Sequence, residues 1–217
     1  MSENPSEETL DRILVAAEPL FAKLGYHGTS LRQVTMEAKV NLAAVNYHHG
    51  DKENLYLEVL RRRIRPINQT RLTGLAIAEG KADGQPVPLP VIFQLLAEPL
   101  FGLFADLEGP GPHAGRLIGR SLSEPLPFME KFQAEEFQPV LARFGQAIRR
   151  HHPSLPPEEF LWRLSFVVGA MQHAAASLHH MKFMTRGICR DNDHAAALSH
   201  FVQFATAAFP RNRPGGG

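Results

Sequence analysis

In the segment Asn41-Leu42-Ala43-Ala44-Val45-Asn46-Tyr47-His48-His49, side chains with hydrogen-bonding tips alternate with bare alanines, and Lys52 follows three residues later. This set of residue types suits contact with a nucleic acid. Alanine lets a helix backbone approach base edges and can touch a thymine methyl. Asparagine can pair with adenine in the major groove, and tyrosine, histidine and lysine can donate to phosphates. Ala43, Ala44, Asn46, Tyr47 and His48 cannot all face an apolar core, although a half-buried ring is the alternative for Tyr47. Charge points the same way. From Leu20 to Pro66 the cations Lys23, Arg32, Lys39, Lys52, Arg61, Arg62, Arg63 and Arg65 outnumber the acids Glu37, Asp51, Glu53 and Glu58 by four. The whole chain of 217 residues carries a formal net charge of only +1, so a phosphate-facing surface must rest on this local excess. A solvated charged face would produce the same count.

Other chemistries lack their residues. The 11 histidines include the pairs His48-His49, His151-His152 and His179-His180, but none follows a metal spacing such as H-E-x-x-H. Neither a G-x-S-x-G elbow, a Walker A loop nor a G-x-G-x-x-G turn occurs. The single cysteine, Cys189, has only His194 near it in sequence. An enzyme is not expected, and neither a metal nor a cofactor is implied. One cysteine permits no disulfide within the chain, which suits a reducing cytoplasm. No signal-peptide pattern and no apolar run of membrane-spanning length is read.

The elements that would position Asn41 to Lys52 are helical. Residues 1–8 are polar and acidic and are expected to fray. From Thr9, Leu10, Ile13, Leu14, Ala17, Leu20, Phe21 and Leu24 form one stripe at three- and four-residue steps. Gly25 is the expected stop, and Pro19 inside the stripe predicts a kink near Val15. Ser30 with Gln33 forms a capping box for a second helix, Asn41 caps a third from Leu42 to His49, and Asp51 caps a fourth reaching about residue 78. Two short helices behind a longer one make a helix-turn-helix. After a Gly- and Pro-rich loop at 79–90, helical patterns follow at Val91–Ala105, Ala114–Ser123, Glu130–His151, Pro157–Met184 and Asp193–Phe209. The reading is an all-α chain of about nine helices, with residues 9–55 as a DNA-binding domain, 56–209 as a ligand-binding and dimerisation domain, and 210–217 as a disordered tail.

The run from Ile13-Leu14-Val15-Ala16-Ala17-Glu18 through Thr29-Ser30-Leu31-Arg32-Gln33-Val34 to Asn41-Leu42-Ala43-Ala44-Val45-Asn46-Tyr47-His48-His49-Gly50-Asp51-Lys52-Glu53-Asn54-Leu55 resembles the DNA-binding domain of TetR-family regulators over about residues 8–60. The resemblance implies phosphate contacts at Thr29, Tyr47 and Lys52 and base-region contacts from Leu42 to His48; the capping residues Ser30 and Asn41 complete the expected DNA-binding set. It also implies a homodimer on a palindromic operator, released by a small apolar ligand. The chain departs from the family at His49, where phenylalanine is usual, and at Pro19. The wording Asn-Leu-Ala-Ala-Val-Asn-Tyr-His, together with Pro156-Pro157-Glu158-Glu159-Phe160-Leu161-Trp162-Arg163-Leu164, looks most like the PsrA-type branch, which implies a fatty acid or acyl-CoA as ligand.

The C-terminal half offers candidates for both remaining tasks. The stripe Phe160, Leu164, Val167, Met171, Ala175 and Leu178, with Phe201, Phe204 and Ala208, is the expected dimer interface; the alternative is the core of one subunit. Phe93, Leu96, Phe101, Phe104, Leu117, Phe128, Phe132, Phe144, Trp162 and Phe166 are the candidate pocket lining, with Arg116 and Arg120 as anchors for an acidic head. Plain core is the alternative for the aromatics, and surface pairing is the alternative for the arginines. A helical interaction protein that binds no DNA is the rival to the whole reading; it would explain the helices but not the small, polar third helix.

Overall fold

The Ser30 hydroxyl accepts from the Gln33 amide at 3.2 Å while the Gln33 side chain accepts from the Ser30 amide at 2.8 Å, so α2 (Leu31–Ala38) opens on a complete capping box. Asn41 Oδ1 accepts from Ala44 N at 2.8 Å and starts α3 (Leu42–His49); Asp51 Oδ1 accepts from Asn54 N at 2.8 Å and starts α4 (Lys52–Lys81). Each cap satisfies an amide that the helix itself leaves without a partner. The computed structural model describes residues 5–105 and 111–210; among these it contains no strand. The expected tail segments 1–4 and 211–217, and Pro110, lie outside the described residues.

The first helix, α1 (Pro5–Gly28), begins at Pro5 rather than Thr9 and runs through Pro19. Its one departure from helical backbone is Gly25, at φ 74° and ψ 178°, so the chain turns there and then completes one further turn. Glycine is required twice over at this point. The positive φ disfavours a side chain, and a Cβ would lie 2.5 Å from Arg120 Nη1 and 2.6 Å from Glu124 Oε1.

Beyond α4 come α5 (Leu89–Ala105), α6 (Gly111–Ser123), α7 (Met129–Glu136), α8 (Gln138–Arg149), α9 (Pro157–Ser177), a 3-10 turn at Leu178–His180, α10 (Met181–Met184) and α11 (His194–Ala208). Two stretches expected as single helices are broken. The pattern from Glu130 to His151 divides at Phe137 because Pro139 has no N–H to continue the ladder; the proline sits in the first turn of α8, where the missing donor costs nothing. Asn68 Nδ2 donates to the Glu136 carbonyl at the break, at 2.6 Å. The pattern from Pro157 to Met184 leaves the α-helix after Ser177.

Buried side chains form two clusters. One joins α1, α2, α3 and the first half of α4 to Leu117, Ile118, Leu126, Met129 and Phe132 of the α6–α7 region. The other joins the second half of α4 to α5, α8, α9 and α11. The helix-turn-helix therefore shares its core with α6 and α7. The boundary expected at residue 55 falls inside the unbroken α4, which runs through both clusters with Ile64 in the first and Ile67 in the second.

Candidate nucleic-acid interface and apolar cavity

Val45 and His49 anchor α3 to the core, and that choice turns Leu42, Ala43, Asn46 and Tyr47 outward on one face. The Tyr47 ring is 82% exposed and meets the edge of His48, which is half-buried, as is Ala44. A bare aromatic hydroxyl, an amide and two small residues together leave the front of this helix open to an incoming groove. The turn before α3 is held from behind. Lys39 ends α2 in a left-handed conformation at φ 53°, and Arg12 Nη2 donates to the carbonyls of Ala38 and Lys39 at 2.7 and 2.9 Å.

Two expected contact residues face elsewhere. Thr29 is only 1% exposed, and its hydroxyl donates to the Gly25 carbonyl at 2.9 Å. Lys52 Nζ donates to the Thr29 carbonyl at 3.0 Å and lies 4.2 Å from the centre of the Tyr26 ring. This arrangement ties the start of α4 to the start of α2. Ser30 and Asn41 remain exposed but are engaged as caps.

The local excess of positive charge is largely consumed within the fold. Arg61 pairs with Glu58, Glu135 and Glu136 at 2.8–3.1 Å, Arg65 with Glu136 at 3.0 Å, Arg62 with Asp11 at 2.7 Å and Arg63 with Glu18 at 2.7 Å. Four of these acids, Asp11, Glu18, Glu135 and Glu136, lie outside the segment from Leu20 to Pro66, so counting charges along that segment could not find them. Lys23, Arg32 and Lys39 are exposed, and among the described residues none has an acid within 4 Å. They are the cations left for phosphate.

His49 is buried, and among the described residues its Nε2 has no hydrogen-bond partner. Burial is the largest influence and holds the imidazole below its ordinary value of 6.5; Glu58 opposes the shift and His48 adds to it. Burial acts in the same direction on His152 and His194. The folded chain resists protons that the unfolded chain accepts, so stability is lost as the pH falls below about 6.5. His49→Phe removes one such group and an unpaired polar atom. It is expected to raise stability at neutral pH by about 1 kcal/mol and to flatten the acid side of the profile. Urea unfolding of both proteins at about pH 7.5 and about pH 5.5 checks this.

A cavity of about 400 Å³ opens between α4, α5, α6, α7, α8 and α9. Ile64 and Ile67, Leu96 and Leu100, Ile118, Val140, Val168 and Met171 line it, with Arg71 among them. Of the expected lining only Leu96 is there. Phe93, Phe101 and Phe144 are sealed in the larger core cluster, and Leu117 and Phe132 in the smaller one. Phe128 packs on Tyr26, with centroids 5.0 Å apart, and Phe104 presses its ring against Gly115. Arg116 is exposed. Arg120 pairs with Glu124 at 2.8 Å and donates to the Lys23 carbonyl at 3.3 Å, while Glu124 accepts from the Tyr26 amide at 3.3 Å. Arg120 thus clasps the end of α1 to α6 instead of entering the cavity. Arg71 was readable in principle: Leu60, Ile64, Ile67, Arg71 and Leu75 follow helical spacing, so the cation occupies a position in an apolar stripe.

Trp162 and Phe166, also expected in the pocket, stack on each other at 5.7 Å on the outer face of α9, where they are 57% and 63% exposed. Leu161 on the same helix and Phe204 on α11 are likewise exposed. The stripe expected to meet a partner, from Phe160 through Leu164, Val167, Met171 and Ala175 to Leu178, lies instead inside the subunit's own core together with Phe201. Ala208 is half-buried and its carbonyl accepts from Arg163 at 2.9 Å. α9 has two apolar faces, and the one with regular spacing is the inner one. Two wider grooves, of about 810 and 610 Å³, flank its outer face.

Comparison with known proteins accounts for both halves. Residues 13–59 match the model described as bacterial regulatory proteins, tetR family, and residues 94–208 match that described as tetracyclin repressor-like, C-terminal domain. The HTH-type transcriptional repressor NicS of Pseudomonas putida is 36% identical over 64 residues; the match covers 30% of this chain and 30% of that protein. Among solved structures, the hemolysin II transcriptional regulator HlyIIR superposes with a TM-score of 0.57 at 20% identity, covering 93% of this chain and 98% of that one. The fatty acid degradation regulator FadR from Bacillus halodurans superposes with a TM-score of 0.68 at 12% identity, covering 98% and 100%. The C-terminal match takes in more than half of the residues and follows the N-terminal one in order: the chain belongs to the TetR family of bacterial transcriptional regulators.

Proposed function

We propose that the chain is a ligand-responsive transcriptional repressor that binds a palindromic operator as a homodimer and is released by a small apolar ligand, a fatty acid or acyl-CoA of the kind implied by its likeness to the PsrA-type branch. The observation that carries this reading is the outer face of α3, where Leu42, Ala43, Asn46 and the exposed Tyr47 are presented by a helix anchored through Val45 and His49. Asn46 reads a base edge, Tyr47 and the exposed Arg32 and Lys39 hold phosphates, and Lys52 acts indirectly by fixing the helix-turn-helix to α4.

Two copies would meet through the outer faces of α9 and α11, where Leu161, Trp162, Phe166 and Phe204 are exposed. A two-fold dimer sets its recognition helices about 34 Å apart, one turn of DNA. Ligand and operator then compete through that spacing, because a ligand shifts an equilibrium only by binding one conformation better than the other. α4 is the connecting lever. Ile64 and Ile67 line the cavity, while Lys52 at the same helix's start holds α2. α7 adds a second link: Gln133 and Ala134 face the cavity, and the adjacent Glu135 and Glu136 grip Arg61 and Arg65.

Selection of bound duplexes from a random pool by the purified full chain tests the reading. An enriched inverted repeat, bound with an affinity that falls steeply with salt, is expected. No enriched sequence would reject it in favour of a helical interaction protein without DNA binding.

A further inference from the structure

Every other arginine on α4 has an acid beside it. Arg61, Arg62, Arg63 and Arg65 all pair with carboxylates within 3.1 Å. Arg71 is more buried than any of them, at 5% exposure, yet among the described residues no carboxylate lies within 4 Å of it. Its Nε donates to the Leu96 carbonyl at 2.7 Å, Nη1 to Asn68 Oδ1 at 3.1 Å, and Nη2 to Met171 Sδ at 3.9 Å. Asn68 is itself oriented by donating Nδ2 to the Glu136 carbonyl, which leaves its oxygen free to accept from Arg71. Those three contacts are made to neutral acceptors. A guanidinium carries five N–H donors, so one remains on each terminal nitrogen, the pair that a carboxylate engages two-pronged.

A cation enclosed in this way is costly unless an anion joins it. Burial pulls the Arg71 guanidinium down to about 10, which still leaves it charged at neutral pH. The space in front of it is the cavity between α4 and α9, walled by Ile64, Ile67, Leu100, Val140 and Val168. Glu130, which also borders the cavity, is exposed on α7. One buried fork of donors at an apolar wall describes the complement of a molecule with one acidic head and an apolar body.

We propose that Arg71 is the anion anchor of this cavity and that the ligand is a free monocarboxylic acid with an apolar body, bound head-first on the guanidinium. The proposal rests on reading the cavity as the effector site and narrows the choice between a fatty acid and its thioester. A thioester or methyl ester presents a neutral carbonyl, which leaves the buried charge without its counterion. Asn68 acts as a positioning residue for Arg71.

Calorimetric titration of the full chain with octanoate, decanoate and dodecanoate, and with their methyl esters, tests this. The wild type is expected to bind at least one acid about 10- to 100-fold more tightly than its ester. Arg71→Met should lose that preference or invert it, and Arg71→Lys should keep part of it. A merely structural role for Arg71 would leave the acid-to-ester ratio unchanged in either variant. If Arg71→Met does not fold, the wild-type ratio and Arg71→Lys decide. The proposal is overturned if the wild type binds ester as tightly as acid, if it binds none of the acids, or if the ratio survives both substitutions. Operator release by an uncharged ligand would then leave the regulatory reading standing. Tight, Arg71-dependent binding of decanoate with no effect on a selected operator would instead reject that regulatory reading and leave the anchor intact.

Discussion

Replacing Arg63 with methionine is expected to destabilise the folded chain by about 3–5 kcal/mol, a fall in Tm of about 6–20 °C at this chain length. Glu18 on α1 is only 3% exposed, and Arg63 on α4 grips both of its carboxylate oxygens at 2.7–3.0 Å. Its neighbours Ala17, Phe21 and Ala22 belong to the sealed core of the helix-turn-helix. Without the guanidinium, an ionised carboxylate is left among them with nothing to balance it, whereas the methionine fills most of the vacated space. The account therefore makes a sharper demand of the double variant. Glu18→Gln in the Arg63→Met background removes the stranded charge and should recover much of the loss, giving a large coupling energy in a double-mutant cycle. A single-variant loss below about 1 kcal/mol would place the pair with weak surface bridges and remove it as the pin between α1 and α4.

The second large effect concerns assembly. Phe166→Asp is expected to convert a dimer into monomers and to weaken operator binding by about 100-fold or more, because each half-site is then bound without the effective concentration supplied by its twin. Phe166 is exposed and, among the described residues, stacks on exposed Trp162 alone, so the substitution removes nothing from the subunit's core. It does place a charge in the centre of the apolar face that α9 would present to its copy, where an unpaired carboxylate is strongly disfavoured. Light scattering after size exclusion reads the first effect and filter binding the second. A variant that stays dimeric and binds normally would show that the subunits meet elsewhere.

These two cases also show which parts of the molecule could be read from the chain and which could not. The helix-turn-helix was legible because its signals are local: Ser30 with Gln33, Asn41 and Asp51 each cap within three residues. The outer face of α3 followed, since Val45 and His49 are the only positions from Leu42 to His49 that its packing buries. Arg63, by contrast, reads locally as a phosphate-facing cation because its partner Glu18 lies 45 residues away. Periodicity located the stripe on α9 but not its direction. A helix apolar on two faces gives the same spacing whether Phe160 or Phe166 points inward, and only the packing of α5 and α11 decides. The break at Phe137 has a local signal in Pro139, but the apolar spacing continues across it and hides the division. The aromatic residues do not mark the cavity: aliphatic side chains and one arginine from six helices line most of it, and no single element displays that pattern.

The claim on which the rest depends is that the exposed front of α3 touches DNA. Equilibrium binding of Tyr47→Ala to the selected inverted repeat, beside the wild type, tests it most directly. Tyr47 is 82% exposed, so its removal should leave Tm unchanged. The account predicts binding weakened by about 10-fold or more, with the dependence on salt little changed because an uncharged hydroxyl releases no counterion. An affinity equal to that of the wild type would contradict it.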